Sequence, residues 1–160
     1  MIADLETVMR LMNENDVRCI LIGGWAAIIH GSRRSTNDVD LVYARDDENI
    51  RRIVAVLKDR KPYLRGAPAG LPFFWDERTI RSGLNFTLTT DIGDVDFLGE
   101  VAGGGTYDNL LPHTQLVEAL GIKARVVTLE KLIELKQAAG RKKDKDAIAE
   151  LVAIKRALDS

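Results

Sequence analysis

The run Asp38–Tyr43, with the sequence DVDLVY, constrains the fold more than any other stretch of the chain. Side chains alternate between the two faces of a β-strand, so Asp38 and Asp40 share one face while Val39, Leu41 and Tyr43 share the other. Two carboxylates held this close repel each other unless a positive charge compensates them. The run therefore predicts a strand with one buried apolar face and one face that binds a cation.

Length and composition indicate a globular protein. The chain has 160 residues, of which 46% are hydrophobic and 29% charged, and this is enough to bury a substantial core. The 23 basic and 24 acidic residues give a net charge of −1, which argues against general nucleic-acid binding because such proteins normally have a basic excess. We expect a single domain over residues 1–160, with C-terminal helices at 128–158 as an appendage.

The first residues and the cysteine content indicate where the protein acts. The stretch MIADLETVMRLMNEND carries acids throughout and lacks the basic start and apolar core of a signal peptide. No apolar run approaches the ~20 residues that a membrane span needs. Cys19 is the one cysteine, so we expect a buried, inert thiol rather than a nucleophile. These features predict a cytoplasmic protein without a membrane partner.

Apolar periodicity and turn residues predict alternating helices and strands. In the strand expected at 84–90, Leu84, Phe86 and Leu88 share one face. The stretch 60–83 holds three of the four prolines and is interpreted as a loop with one helical turn at 76–81. The fold class is α/β (α+β), a central mixed β-sheet flanked by helices, rather than a fully parallel doubly wound sheet. The other helices are expected at 4–14, 25–30, 46–59, 129–139 and 144–158, and the other strands at 17–22, 38–43, 94–101, 114–120 and 122–127.

A third carboxylate completes a candidate metal site. Asp96 lies between two apolar residues on a later strand and can join Asp38 and Asp40 if the two strands are neighbours. Hard oxygen ligands suit Mg²⁺, and the sequence has no His or Cys cluster that would favour zinc. Asp94, two residues earlier on the same face, is the rival. We favour Asp96 because apolar residues flank it on both sides, and we expect Asp94 to face solvent or to stand behind the ligands.

The pair Gly23-Gly24 closes the strand at 17–22 and opens a helix. Without a Cβ, backbone N–H groups can approach a phosphate, and the helix dipole favours the anion. Beside a carboxylate site this suits two-metal nucleotidyl transfer, in which ions about 3.5–4 Å apart activate a hydroxyl and stabilise the leaving pyrophosphate.

These motifs resemble those of the nucleotidyltransferases of the DNA polymerase β superfamily. The matching residues are Ile22-Gly23-Gly24, Asp38-Val39-Asp40 and the isolated Asp96. More narrowly, the chain is similar to small stand-alone bacterial and archaeal members akin to the AbiEii-type toxin nucleotidyltransferases, and this resemblance spans about residues 17–150. The stretches that carry the narrower similarity are His30-Gly31, Arg34-x-Thr36-x-Asp38-x-Asp40 and Leu129…Lys136…Arg141-x-Lys143-Asp144.

The resemblance implies a fold, an activity and roles for the site residues. Asp38 and Asp40 would hold two Mg²⁺ ions, and Asp96 would hold the catalytic ion and help to activate the acceptor hydroxyl. Gly23 and Gly24 would contact the triphosphate of an NTP. The acceptor would be a protein side chain, a tRNA 3′ end or a small molecule. Larger members carry an additional acceptor domain, which is missing here or supplied by a partner such as a cognate toxin or antitoxin.

Three further residues are candidates for nucleotide binding. Arg34, or Arg33 beside it, is expected to face the phosphates. Thr36 either contacts the nucleotide or bonds the loop backbone. Lys136 stands where the apolar stripe of its helix predicts an apolar residue, so it either extends into solvent or reaches a phosphate.

Other chemically capable residues are given structural interpretations. We expect His30 to be a partner at a helix end, His113 to lie on a loop surface, and Trp25 and Trp75 to pack in the interior rather than stack on a base. The run GRKKDKD at 140–146 is interpreted as a solvated helix start, with contact to a nucleic-acid backbone as the alternative.

Two other functions compete with nucleotidyl transfer. The chain could be a non-catalytic partner of a toxin–antitoxin pair, although all three carboxylates and the glycine pair are present. The motif Asp38-Val39-Asp40 is also an Asp-x-Asp motif of the kind found in sugar-nucleotide glycosyltransferases. The glycine pair, Asp96 and the short chain fit that function poorly.

Overall fold

The computed structural model describes residues 3–160, and Met1 and Ile2 of the expected domain lie outside them. The strands are β1 (Cys19–Ile22), β2 (Asp38–Tyr43), β3 (Tyr63–Leu64), β4 (Asn85–Thr90), β5 (Gly93–Leu98), β6 (Glu100–Val101), β7 (Gly105–Thr106), β8 (Thr114–Ala119) and β9 (Ile122–Val127). The helices are α1 (Leu5–Glu14), α2 (Gly23–Ile29), α3 (Asp47–Leu57), α4 (Glu77–Ser82), α5 (Tyr107–Leu110), α6 (Leu129–Ala139) and α7 (Lys145–Asp159).

Seven strands form one mixed sheet in the order β3-β4-β5-β2-β1-β9-β8, and β6 and β7 pair separately. The central strand β2 runs antiparallel to β1 and parallel to β5. The strands β4 and β5 form an antiparallel hairpin, as do β8 and β9. The expected mixed sheet with flanking helices is confirmed. None of the helices described in residues 3–160 is long and apolar enough to cross a membrane.

The side chains of β2 alternate between a buried apolar face and an acidic face, as the sequence predicts. Val39 and Leu41 are fully buried on one face, and Val95 and Phe97 of β5 are buried beside them at the paired positions. Trp75 packs against Phe97, with ring centroids 5.8 Å apart, so its expected role in packing is confirmed. The opposite face of the same two strands carries the aspartates.

Helix ends follow the capping residues. Thr128 accepts a hydrogen bond from the Lys131 amide at 3.2 Å, and Gly140 ends α6 in the left-handed conformation, as expected. Asp76 caps α4 in the same way through the Thr79 amide, at 2.8 Å.

The structure corrects three expectations. The stretch 60–83 also contains β3, which pairs with β4, because a two-residue strand leaves no periodic signal in the sequence. The strand expected at 94–101 ends at Leu98, since Gly99 donates its amide to the Asn85 side chain and the chain then turns into β6. Leu84 precedes β4 and is 41% exposed rather than sharing the buried face.

Candidate active site

Asp38, Asp40 and Asp96 form the acidic cluster. One carboxylate oxygen from each lies within 4.8 Å of those from the other two. The parallel pairing of β2 and β5 brings them together, because Asp40 lies opposite Asp96 and Asp38 lies opposite Asp94. Asp96 is buried, and the other two are half-buried. The cluster therefore has the size and the oxygen ligands that suit a hard divalent cation.

One atom of the cluster is suited to coordinate a metal ion. The Oδ1 atom of Asp40 is buried, and within residues 3–160 no hydrogen-bond partner reaches it. A buried polar atom left in this way is unusual, because such atoms are normally paired in native proteins. A metal ion bound between the carboxylates would satisfy it, so the residues present fit Mg²⁺.

Burial and mutual repulsion shift the proton affinities of the cluster. Burial, together with the charge of Asp38, raises the pKa of Asp40 to about 9. Burial also raises the pKa of Asp96. Burial opposes ionisation of Asp38 too, but hydrogen bonds from the neighbouring carboxyls of Asp40 and Asp96 outweigh it and lower the pKa of Asp38. Without a metal, the cluster therefore keeps a proton at neutral pH.

Because the folded cluster holds this proton more tightly than the unfolded chain does, we expect the stability of the protein to depend on pH. The folded-state pKa of Asp40 is raised, so its contribution to stability is complete below about pH 4, declines as the pH rises and is lost by about pH 9. In EDTA, we expect the melting temperature to fall between pH 6 and pH 9. Asp40→Asn should flatten this decline in a calorimetric pH series. An equally steep decline in that variant would contradict the assignment.

The two glycines fit closely against the cluster and the loop that precedes it. Gly23 has φ +72°, and a Cβ there would lie 2.1 Å from Oδ2 of Asp40. A Cβ on Gly24 would lie 2.5 Å from Oγ1 of Thr36. The side chains of Asp40 and Thr36 thus occupy the space that a larger residue at either glycine would need.

A cavity of about 410 Å³, here called the cationic cavity, opens beside the glycines. Four acidic side chains line it: Asp38, Asp40, Asp144 and Glu150. Its positive charges come from four side chains: Arg34, Lys136, Arg141 and Lys143. Such an arrangement can bind a polyanion next to a metal site.

The loop at 31–37 is tied to α7 at this cavity. Glu150 accepts hydrogen bonds from Ser32 Oγ at 2.5 Å and from the Arg33 amide at 3.2 Å. Its carboxylate also lies 3.8 Å from Arg34 Nε. Of the two arginines considered from the sequence, Arg34 lines the cavity.

A second cavity, of about 380 Å³, meets the acidic cluster from the Asp96 side. Leu98, Val101, Leu132 and Leu135 give it an apolar wall. Asn85 and Glu100 add polar groups, and Lys136 and Arg141 line both cavities. This mixed lining is typical of sites for small organic molecules.

Arg65 is a site residue that the sequence interpretation missed. Its guanidinium donates a hydrogen bond to Asp96 and lies 3.5 Å from Oδ2 of Asp94 and 4.0 Å from Oδ2 of Asp38. The Asp94 side chain is only 14% exposed, and the register places Asp94 opposite Asp38, so it lies beside the cluster rather than facing solvent. No sequence signal identifies Arg65, because it follows the two-residue strand β3 in a stretch rich in proline.

The remaining candidates take mainly structural positions. Nε2 of His30 lies 2.8 Å from the Val127 carbonyl oxygen at the end of α2, as a structural histidine would. His113 is exposed. Cys19 is buried, as expected, and burial raises the pKa of its thiol to about 12, which agrees with an inert thiol.

The run at 140–146 leads into α7, and all of its residues except Asp144 are exposed, in agreement with the expected solvated helix start. Lys142–Asp144 forms a 3₁₀ turn, and Asp144 is buried. Its carboxylate accepts a hydrogen bond from Arg141 Nε at 2.6 Å. Two basic residues of the run, Arg141 and Lys143, consequently line the cationic cavity.

A mixed sheet that carries an acidic cluster beside a glycine turn is the arrangement expected of a nucleotidyltransferase. The chain belongs to the family described as nucleotidyltransferase of unknown function (DUF6036), whose model matches residues 2–94. The match includes both glycines and the first two aspartates and ends before Asp96. The chain is thus a nucleotidyltransferase family member, while the narrower similarity to AbiEii-type toxins stays a prediction.

Solved structures share the fold. The lincosamide antibiotic adenylyltransferase LnuA, with lincomycin bound, is 16% identical with a TM-score of 0.62, over 96% of this chain and 98% of that one. TM1012 of Thermotoga maritima, a protein assigned as a nucleotidyltransferase, is 15% identical with a TM-score of 0.58, over 93% and 90%. At these identities the likeness concerns the fold. A search of curated protein sequences finds no match.

Proposed function

We propose that the protein is a Mg²⁺-dependent nucleotidyltransferase that transfers NMP from an NTP to a hydroxyl group. The observation that carries this proposal is the position of the acidic cluster between two cavities. Asp38 and Asp40 line both, so a metal held there would touch a ligand in either one. Two substrates that must react with each other need such a shared boundary.

The cationic cavity suits the NTP. Arg34, Lys136, Arg141 and Lys143 would compensate the charge of the triphosphate, and the main chain at Gly23 and Gly24 would approach it without a side chain in the way. Thr36 packs over Gly24 and would hold the loop at 31–37 close to the main chain of the two glycines.

The second cavity suits the acceptor. Its volume of about 380 Å³ and its leucine wall favour a small molecule over a protein or tRNA end. The binding of lincomycin by LnuA, a structural neighbour, supports this choice. Asp96 lines this cavity, where it can orient the acceptor hydroxyl.

The proposed reaction follows from these positions. The hydroxyl oxygen attacks the α-phosphorus, the bond to the β-phosphate oxygen breaks, and pyrophosphate leaves. Bound Mg²⁺ supplies charge stabilisation for the reacting phosphates. Asp38 and Asp40 would hold it, and Asp96, whose pKa is raised by burial, can accept the hydroxyl proton.

The test is transfer of label from each of the four α-³²P-labelled NTPs in Mg²⁺. Acceptors are supplied separately as the small-molecule, tRNA and protein fractions of a bacterial extract. We expect transfer to the small-molecule fraction and none in EDTA. A folded protein that neither binds NTP nor transfers label to any fraction would refute the proposal.

Lys136 provides a further prediction. Lys136→Met should raise the KM for NTP about tenfold and change kcat little, because a charge that binds the triphosphate throughout the reaction contributes mainly to binding. Steady-state kinetics of labelled transfer measure both constants. Lys145→Met, at an exposed position on α7, is the control and should leave both unchanged. A lower kcat with an unchanged KM in Lys136→Met would contradict this role.

The toxin–antitoxin partner and the cytoplasmic location stay predictions from the sequence. A small protein encoded by an adjacent gene that copurifies with this chain would support the two-component role, catalytic or not. The division of the chain into one domain with an appendage is likewise a prediction, although α6 and α7 both contribute lining residues to the cationic cavity.

A further inference from the structure

Arg65 is held beside the carboxylates by several contacts at once. Nη2 donates to Oδ1 of Asp96 and also to the Leu88 carbonyl oxygen, at 3.0 Å. Nε lies 3.5 Å from Oδ2 of Asp94, and Nη1 lies 4.0 Å from Oδ2 of Asp38. The side chain is 30% exposed. One guanidinium thus spans two aspartates of the acidic cluster and the aspartate beside it.

The main chain fixes the point from which Arg65 reaches over the sheet. The Arg65 amide donates to the Thr87 carbonyl oxygen at 2.9 Å, directly after β3. From this edge the side chain crosses β4, where Leu88 holds it, and arrives at β5. The guanidinium is therefore anchored on two sides that do not belong to the acidic cluster, the Leu88 carbonyl and Asp94.

The carboxylates need such a charge when no metal is present. The register places Asp38 opposite Asp94 and Asp40 opposite Asp96, so four carboxyl groups share one small area of the sheet. Partly buried like charges are costly unless a cation or a proton compensates them. Arg65 supplies a fixed positive charge to three of the four.

We propose that Arg65 is a positioning residue that serves as a built-in counter-cation of the acidic cluster. In the metal-free protein it holds Asp96 and Asp38 in place. An entering divalent cation competes with it for their oxygens, and Arg65 then remains on Asp94 and the Leu88 carbonyl. This inference rests on the proposed metal-binding function of the cluster. It also gives Asp94 a role, which is to retain Arg65 beside the site.

The test compares Arg65→Met with the unmodified protein, using Mn²⁺ as the probe. In EDTA, the variant should melt about 3–6 °C lower, because its carboxylates lose their counter-charge. Its affinity for Mn²⁺, measured from the electron paramagnetic resonance of the free ion, should rise about tenfold, because a competing positive charge at about 4 Å is gone. A residue that only supports the fold would lower stability without tightening Mn²⁺ binding.

Two further variants complete the experiment. Arg65→Lys keeps a positive charge beside the carboxylates, so its Mn²⁺ affinity should stay within about threefold of that of the unmodified protein. Arg51→Met, at an exposed position on α3, should change neither quantity. The inference is overturned if Arg65→Met leaves the metal-free melting temperature unchanged or binds Mn²⁺ no more tightly. If Arg65→Met does not fold, Arg65→Lys decides, and a change in its Mn²⁺ affinity of more than threefold overturns the inference.

Failure of the proposed function would look different. In that case the unmodified protein itself would bind no Mn²⁺, while the metal-free melting temperatures would still report whether Arg65 compensates the carboxylates.

Discussion

Asp40→Asn is expected to reduce NMP transfer at least about a thousandfold while the protein remains folded. Asp40 lines both cavities and contributes the buried oxygen that lacks a partner within residues 3–160, so its loss removes a proposed ligand of the metal. A thousandfold loss corresponds to about 4 kcal/mol of transition-state stabilisation, which is within the range expected for metal-ion catalysis. The measurement is kcat/KM for transfer from α-labelled NTP.

A matched substitution separates this effect from a general loss of charge. Asp91→Asn removes a carboxylate from the exposed turn between β4 and β5 and should retain full activity. Circular dichroism and the melting temperature in EDTA should show that Asp40→Asn is folded. Retention of more than a tenth of the activity by Asp40→Asn would contradict the assignment of Asp40 to the metal site.

Gly23→Ala is expected to reduce transfer strongly and to destabilise the protein as well. The added Cβ would lie 2.1 Å from Oδ2 of Asp40, so the carboxylate must leave its position. A left-handed backbone at an alanine adds a further cost of about 1–2 kcal/mol. The expected result is at least about a hundredfold loss of kcat/KM together with a melting temperature lower by several degrees.

Gly140→Ala is the control that isolates backbone strain from the clash. Gly140 has φ +65°, close to that of Gly23, but nothing lies within 4 Å of an added Cβ. Gly140→Ala should lose the same stability that the left-handed backbone alone costs in Gly23→Ala, and it should keep its activity. If both alanine variants lost activity equally, the contact between Gly23 and Asp40 would not be the cause.

Part of the acidic cluster could be predicted because its signal is local. The alternation around Asp38 and Asp40 places both on one strand face, whatever the rest of the chain does. The glycine pair ends a short apolar strand, and this also needs no distant information. The helices at 129–139 and 76–81 were predictable for the same reason, since Thr128, Gly140 and Asp76 cap them through neighbouring residues.

The rest depends on contacts between distant residues. The choice between Asp94 and Asp96 is a matter of register between β2 and β5, and nothing within either strand fixes that register. The sequence favoured Asp96 by its apolar neighbours, and the structure brings Asp96 into the cluster. Arg65 could not be found in this way, because its role arises from an edge strand of two residues and a side chain that crosses β4.

The two cavities also lie beyond local patterns. The cationic cavity combines Arg34 from the loop before β2 with Lys136 from α6 and Lys143 from the turn before α7. The sequence marked Arg34 and Lys136 as separate candidates, but it gave no sign that they meet each other and Lys143 at one cavity. These charges surround one cavity because the C-terminal helices pack over α2 and the loop at 31–37.

The most direct test of the metal-dependent transfer proposed here is a crystal structure with Mn²⁺ and a non-hydrolysable NTP. We expect anomalous density for Mn²⁺ between the carboxylates of Asp38, Asp40 and Asp96, with the triphosphate in the cationic cavity and in contact with the same ion. Nucleotide bound at another place, or a cluster that stays free of Mn²⁺ at saturating concentration, would contradict it.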